Sequence, residues 1–160
     1  MEVVEIKIYS FEELDDDAKE RAREWWRNGL DYPWFSESID SIRAFVEHFG
    51  ATIGDWEIGN GGGRDHVKTD ITQDHFRGRK LKDFRPDYMP TGFCIDCNLW
   101  GTFFNEWKKT SDPMYAFQQA IEDALNAISS DIEYQYSNEA VDENLSINEY
   151  RFTDDGRIWK

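Results

Sequence analysis

The sequence is poor in cysteine and proline, with two and four residues among 160, and it contains no long hydrophobic run. Two cysteines in a chain of this length are ordinary for a reducing compartment. No stretch approaches the ~18–20 apolar residues that cross a bilayer, and the first ten residues lack the basic and apolar parts of a secretory signal. We therefore expect a cytoplasmic protein with no membrane partner.

Basic residues are also scarce, since 18 lysines and arginines face 33 aspartates and glutamates, for a net charge of -15. Aromatic residues nevertheless make up 16% of the chain, which is enough large apolar surface to exclude a disordered protein. The length is typical of one domain, so we expect residues 1–160 to form a single domain with its own core.

The acidic excess lies at the two ends of the chain. Residues 1–50 contain 13 acids and 6 bases, residues 51–110 contain 9 of each, and residues 111–160 contain 11 acids and 3 bases. An acidic surface repels nucleic acid and attracts basic surfaces. The same charge also keeps a tryptophan-rich domain in solution, and the composition leaves both interpretations open.

Hydrophobic spacing predicts helices and alternation predicts strands, in an order that mixes the two. The predicted helices are 11–28, 37–49, 113–134 and a short one from Asn138 to about Leu145. The predicted strands are 3–9, 51–58 and 91–100. Capping chemistry marks two helix starts: Ser10 and Glu13 form a capping box, and Asp112 precedes Pro113 at a first helical position.

The last residues of the chain predict a hairpin. Tyr150 and Phe152 alternate with charged or polar residues, and an Asp155-Gly156 pair then precedes Ile158. Alternation around Asp-Gly is a strong signal for a β-hairpin. The sequence therefore predicts an α+β fold, in which about three helices pack on one face of a small mixed or antiparallel sheet, with a C-terminal β-hairpin.

Motifs for catalysis or metal binding are weak. Cys94 and Cys97 are three positions apart, but a zinc site normally needs four ligands, and residues three apart in a strand face opposite ways. His66 and His75 each follow an aspartate, a pairing that can serve acid–base or metal chemistry. The sequence predicts no enzyme, cofactor or metal, with a metal-dependent enzyme or metal-binding protein using His66, His75 and Cys97 as the alternative.

Two unusual segments lie in the middle of the chain. The glycine-rich loop 59–63 lacks the spacing of a phosphate-binding loop, which leaves a mobile loop or a partner-binding loop. The basic loop 77–85 is interleaved with aromatic residues, a combination that can contact single-stranded nucleic acid. We expect its cations to pair instead with the protein's own acids, so no direct nucleic-acid partner is predicted.

Acidic residues on the helices are the main candidates for partner binding. Carboxylates displayed at a density like that of phosphates can imitate DNA and occupy the basic groove of another protein. The candidates are Asp15, Asp16, Asp17, Glu122, Asp123, Asp131, Glu133, Glu139, Asp142 and Glu143. Trp34, Tyr32 and Trp107 are candidate aromatic anchors, since aromatic residues dominate interface energetics. The alternatives are an ordinary solvated helix face for the acids and core packing for the aromatics.

The two ends of the chain resemble a family of small proteins encoded by tailed phages. The likeness lies in Tyr-Ser-Phe-Glu-Glu-Leu at 9–14, in an Ala-to-Trp phrase at 18–25, and in Asn-Glu-Tyr-Arg-Phe-Thr-Asp-Asp-Gly-Arg at 148–157. Members of the family are mostly hypothetical proteins or are described as the antitoxin of a toxin–antitoxin stability system.

The resemblance implies a phage accessory protein that acts in the cytoplasm of a bacterial host. Several acidic accessory proteins of phages block restriction enzymes, CRISPR effectors or nucleases stoichiometrically, often at DNA-binding surfaces. We therefore expect a non-catalytic acidic protein that binds and inhibits a host nucleic-acid-handling or defence protein, of the anti-CRISPR or anti-restriction type. The alternative is an antitoxin that masks a basic toxin.

Overall fold

The computed structural model describes residues 5–59 and 64–159, and the chain divides into two compact units. The first unit combines Met1–Tyr32 with Glu133–Lys160, and the second is Pro33–Ile132. The prediction of a single domain stays a prediction, because this division does not tell whether the two units unfold together.

Five α-helices and one two-stranded antiparallel sheet form within the described ranges, which confirms the α+β class and corrects the expected number of about three helices. The helices are α1 (Asp16–Gly29), α2 (Phe35–His48), α3 (Cys94–Thr110), α4 (Pro113–Gln135) and α5 (Asn138–Ile147). The strands are β1 (Ile53–Glu57) and β2 (His66–Thr69), and short 3-10 turns lie at Phe11–Glu13, Gln73–Phe76 and Leu81–Phe84. None of the helices in these ranges is long and apolar enough to cross a membrane.

The first unit is built on the packing of α1 against α5. The carboxylate of Asp15 caps α1 by accepting the amide N–H of Ala18 at 2.8 Å. The predicted capping box of Ser10 and Glu13 does form, but it closes the 3-10 turn that precedes α1. The core of the unit consists of Phe11, Leu14, Ala18, Ala22, Val141, Leu145 and Phe152. Two of these are alanines, so the buried apolar surface of this unit is small.

The second unit is held together by aromatic rings where α2 packs on α3. Phe49, directly after α2, lies at the centre of these rings. Its centroid is 4.9–5.7 Å from those of Phe45, Phe76, Phe84, Trp100, Phe103 and Phe117. Ring contacts at this separation add stability beyond the burial of the rings themselves.

The two strands form an irregular hairpin in the second unit. Trp56 pairs with Val67, and the register shifts between Ile53 and Trp56. The predicted strand at 51–58 is therefore confirmed. Neither strand contains a fully buried residue, so the buried face of α2 packs on α3 and not on a broad sheet.

The predicted strand at 91–100 is wrong, because most of it is the start of α3. Ile95, Leu99 and Phe103 recur at four-residue spacing and are buried, as is Trp100. This spacing is that of one helix face, and it continues beyond the window over which the strand was predicted.

The predicted C-terminal β-hairpin is also wrong. Its turn forms, with the amide of Gly156 donating to the carbonyl of Thr153 at 2.9 Å. Phe152, however, makes only isolated bridges, to Ile158 and to Tyr9. Both backbone groups of Phe152 bond to Tyr9, at 2.8 and 2.9 Å, so its pairing is shared with the other end of the chain. Of the predicted strand at 3–9, residues 3 and 4 lie outside the described residues, and 5–9 contribute only the bridge at Tyr9.

Candidate functional site

The first unit carries most of the net charge of the chain. It contains 17 acidic and 8 basic residues, a net charge of -9, whereas the larger second unit has a net charge of -6. Residues 1–32 and 133–160 make up this unit, so folding gathers much of the charge of the two acidic ends in one place.

Two arginines of α1 are already paired inside this unit. Arg23 forms a bidentate pair with Asp142 of α5, in which Nε and Nη2 each lie 2.7 Å from a carboxylate oxygen. Arg23 and Arg27 also contact the carboxylate of Glu20, at 3.1 and 3.0 Å. Hydrogen bonds from these two guanidinium groups hold the pKa of Glu20 below its ordinary value. These bases are therefore committed to Glu20 and Asp142.

Five exposed carboxylates on α1 and α5 form no ion pair with the residues that the structure describes. They are Asp16, Asp17 and Glu24 on α1, and Glu139 and Glu143 on α5. We call this set the acidic face residues. Glu139 and Glu143 are one helical turn apart, where like charges destabilise a helix by a few tenths of a kcal/mol, roughly. The set therefore leaves an unbalanced negative field that attracts cations.

Two of the predicted partner-binding acids stabilise the fold. Asp142 pairs with Arg23. Asp123 is half-buried on α4 and accepts hydrogen bonds from Asn98 at 3.3 Å and Thr102 at 3.0 Å, both on α3. These carboxylates join helices, so they are poor candidates for contact with a partner.

The remaining predicted acids differ in how exposed they are. Asp15 is exposed but caps α1. Glu122 is exposed and accepts from Gln119 at 3.2 Å, and Glu133 is exposed at the end of α4. Asp131 is half-buried and has an interaction partner. Whether any of the exposed acids binds another protein stays a prediction.

An aromatic cluster next to Glu24, one of the acidic face residues, was not predicted from the sequence. Trp25 is 37% exposed, and its ring centroid lies 5.3 Å from that of Tyr150 and 6.4 Å from that of Trp26. Adjacent residues on a helix point in directions about 100° apart, so the Trp25-Trp26 pair indicates that one of the two rings lies nearer to solvent. Trp25 follows Glu24 directly, so an aromatic surface and an unpaired carboxylate are neighbours.

The three aromatic anchors expected from the sequence have different environments. Tyr32 is buried. Trp107 is half-buried and packs on Phe84 and Phe103. Trp34, at 38% exposed, is the one of the three that a partner could reach readily.

The histidines occupy separate local structures. His66 on β2 is hydrogen-bonded to the carbonyl of Arg64 at 2.8 Å and lies 3.3 Å from the carboxylate of Asp55. The carbonyl first, and then the carboxylate, raises the pKa of His66 above its ordinary value. His75 instead bonds to Thr72 and closes a 3-10 turn.

The cysteines lie in a helix, which changes the geometry expected for them. Cys94 and Cys97 are exposed free thiols in the first turns of α3, where residues three apart are neighbours and do not face opposite ways. Within the described ranges, no group of three or more His, Cys, Asp or Glu side chains could hold a metal ion, so His66, His75 and Cys97 do not come together as ligands there.

Of the glycine-rich loop 59–63, Gly59 is the one residue that the structure describes, and 60–63 lie outside the described residues. Gly59 has a φ of +93°, and a Cβ added there would lie 2.7 Å from the Phe35 ring. This glycine therefore has a structural reason, which is independent of any partner.

We compared the chain with family models, with curated proteins and with solved structures, and none of them matches it.

Proposed function

We propose that this chain is a non-catalytic binding protein, whose acidic first unit covers the basic, nucleic-acid-binding surface of a host defence or nucleic-acid-handling protein. The observation that carries the proposal is the set of acidic face residues, which are exposed and unpaired within the described part of the chain. The resemblance of the two ends to phage accessory proteins indicates the same kind of target.

In this proposal, charged and aromatic residues contribute to binding in different ways. Unpaired carboxylates steer a basic partner toward the first unit and accelerate association. Exposed aromatic rings such as Trp25 supply the apolar contact on which most interface energy depends. Inhibition follows because nucleic acid and the acidic unit compete for one basic surface.

The test is inhibition of purified restriction endonucleases and CRISPR effectors. The chain is mixed with each enzyme at a ratio of about one to one, and DNA binding and DNA cleavage are measured. We expect one target class to lose DNA binding, and the effect to weaken steeply between about 0.05 and 0.5 M salt. Inhibition that persists unchanged at high salt would contradict a charge-led interface.

Matched charge variants locate the surface. Glu24→Gln with Glu143→Gln removes two acidic face residues, and Glu37→Gln with Glu47→Gln removes two exposed glutamates from the second unit. Both pairs change the net charge equally. We expect the first pair to weaken inhibition about tenfold and the second to weaken it less than about twofold. Equal effects would mean that net charge matters and this face does not.

An antitoxin that masks a basic toxin is the second candidate, favoured by the descriptions given to the phage proteins that the chain resembles. It would use the same acidic surface. Affinity capture from phage-infected cells distinguishes the two candidates, because the partner is a host defence protein in one case and a small basic toxin in the other.

A further inference from the structure

A cleft in the second unit is independent of the acidic face residues. It has a volume of about 550 Å³ and lies between the segment 85–89 and one side of α3. The α3 side is formed by Cys97, Trp100, Gly101 and Phe104, which are spaced as one helix face. The volume is within the range of small-molecule sites, which combine apolar walls with a few polar groups.

The walls of the cleft are aromatic. Phe104 is half-buried and stacks on Trp100, with centroids 5.7 Å apart and planes 28° apart. On the other side, Tyr88 is 78% exposed and Met89 is 46% exposed. Large apolar side chains left this accessible around a cavity can stack on a planar ligand.

Gly101 lies in the α3 side of the cleft. It lies inside α3, where glycine destabilises a helix relative to alanine, and a Cβ added there would meet no atom within 4 Å. Neither a positive φ nor a close contact explains this glycine. Its effect is to leave space over the helix between Trp100 and Phe104.

A basic segment leads directly into the cleft. Residues 77–85 contain five cations and one acid, and Arg85 lies both in the cleft and 5.8 Å from the centre of the Phe104 ring. The acid, Asp83, accepts the backbone amide of Lys80 at 2.7 Å. Asp87, which also lines the cleft, opposes an anionic ligand, so weak binding is expected.

Most cations of this segment form no ion pair with the described part of the chain. Arg77 pairs with Asp74 at 2.6 Å, and Arg79 lies 3.8 Å over the Phe84 ring. Lys80 and Lys82 form no ion pair with the described residues. The sequence-based expectation that these cations pair with the protein's own acids therefore holds for Arg77 and not for the two lysines.

We infer that this cleft binds a nucleotide, with the base stacked against the aromatic walls and the phosphate held by Arg85. Such chemistry comes either from a free nucleotide or from a residue of a single strand. It is a second binding activity, which does not rest on the proposed function and departs from the expectation that the chain has no nucleic-acid partner. Base stacking together with a cationic track is the usual chemistry of single-strand binding.

Fluorescence anisotropy with a fluorescein-labelled oligothymidylate of about 12 nucleotides tests the inference in low salt. We expect saturable binding that falls as salt rises. Unlabelled AMP, GMP, CMP and UMP are then added as competitors, and their direct binding is measured by calorimetry. Binding of a mononucleotide assigns the cleft to a free nucleotide, and binding of the oligonucleotide alone assigns it to a strand. Binding of neither would overturn the inference.

Matched glycine variants separate the cleft from general effects of substitution. Gly101→Leu fills the space over α3, whereas Gly29→Leu adds the same side chain at the end of α1, where a Cβ also meets nothing within 4 Å. We expect Gly101→Leu to weaken binding about tenfold, comparable to the loss of one stacked base, and Gly29→Leu to leave it unchanged. Equal affinities for the two variants would exclude the cleft as the site.

Tyrosine variants provide a second measurement, should Gly101→Leu fail to fold as judged by circular dichroism. Tyr88→Ala removes a ring that is 78% exposed, and Tyr115→Ala removes one that is 42% exposed and lies outside the cleft. We expect weaker nucleotide binding in Tyr88→Ala alone. Unchanged binding in both variants would overturn the inference.

The two cysteines give an internal control within the unmodified chain. Cys97 lines the cleft and Cys94 does not, although both thiols are exposed. Saturating oligothymidylate or mononucleotide should slow alkylation of Cys97 by iodoacetamide several-fold and leave Cys94 unaffected, as followed by mass spectrometry. Equal protection of both thiols, or of neither, argues against occupation of the cleft.

Discussion

The two units of this protein are stabilised in different ways. The first joins the two ends of the chain around a small core with two alanines, and ties α1 to α5 through Arg23 and Asp142. The second encloses Phe49 in six aromatic neighbours. The unit with less apolar surface to bury also carries the larger negative charge.

The two units also differ in the surface they expose: the first presents unpaired carboxylates, and the second presents an aromatic cleft. Charge repulsion opposes the compaction of the first unit. Arg21, Arg23, Arg27 and Arg157 offset part of it through ion pairs, whereas the acidic face residues form none with the described residues. In the second unit, some aromatic side chains, among them Tyr88 and Phe104, line a cleft beside a basic segment.

The largest effect is expected from aromatic truncation. Phe49→Ala and Phe152→Ala each empty a nearly fully buried site, at 2% and 0% exposure, and each should lower the free energy of unfolding by about 3–5 kcal/mol. Tyr115→Ala, an exposed control, should change it by less than about 0.5 kcal/mol. Chemical denaturation measures all three.

Hydrogen exchange of the same variants tests the single-domain prediction. If residues 1–160 unfold as one domain, Phe152→Ala will reduce amide protection in both units. Loss of protection confined to the first unit would mean that the units open separately.

A smaller loss of stability is expected on substitution of Gly156. Comparison with Gly78 separates the effect of steric overlap from that of backbone strain. The φ of Gly156 is +80°, and a Cβ there would lie 2.1 Å from the carbonyl oxygen of Ala18. Gly156→Ala should therefore destabilise the first unit by more than about 2 kcal/mol. Gly78→Ala, with a φ of +70° and no atom within 4 Å, should cost about 1 kcal/mol through the backbone alone. A similar loss of stability in both variants would show that Gly156 lies farther from α1 in solution than the structure indicates.

Ion pairing should differ measurably between the units. A double-mutant cycle of Arg23→Met and Asp142→Asn should give a coupling of about 1 kcal/mol, because Arg23 is 17% exposed and bidentate. The same cycle for Arg43 and Asp40, whose side chains are 44% and 55% exposed, should give less than about 0.5 kcal/mol. A larger coupling for the exposed pair would contradict this contrast.

The smallest effect concerns the titration of His66. Its pKa is raised, so its contribution to stability is fully present below the unfolded pKa of about 6.5 and is lost as pH rises through the higher folded value. NMR titration should therefore find a pKa above 6.5, and Asp55→Asn should lower it. Asp70→Asn, which removes a carboxylate bonded to Thr52, should change it less. A pKa of His66 that is insensitive to Asp55 would contradict the contact.

Patterns longer than about ten residues predicted the helices well. The apolar stripe from Ile39 to Phe49 is buried as expected, and Asp112 accepts the amide of Tyr115 at the predicted start of α4. The strand prediction at 91–100 was wrong because it considered only those ten residues. The helical spacing of apolar residues continues beyond them, to Trp107.

The candidate site was predictable only in part. The acidic excess was visible in the composition, but the separation of Glu139 and Glu143 from the structural carboxylates Asp123 and Asp142 was not. That separation depends on which bases come within reach, and Arg23 is 119 residues from Asp142 along the chain. The cleft could not be predicted from the sequence either, because its two sides lie on separate segments of the chain.

Local order came from the sequence by itself: where most helices begin, which of their faces are apolar, and that negative charge accumulates at both ends. These features need contacts only within a few residues. The tertiary structure alone decided that the two ends share one unit, that Phe152 pairs with Tyr9, and that one face of α3 lines a cleft with the segment 85–89. Each of these features depends on contacts between separate segments of the chain. A local sequence pattern does not encode such contacts.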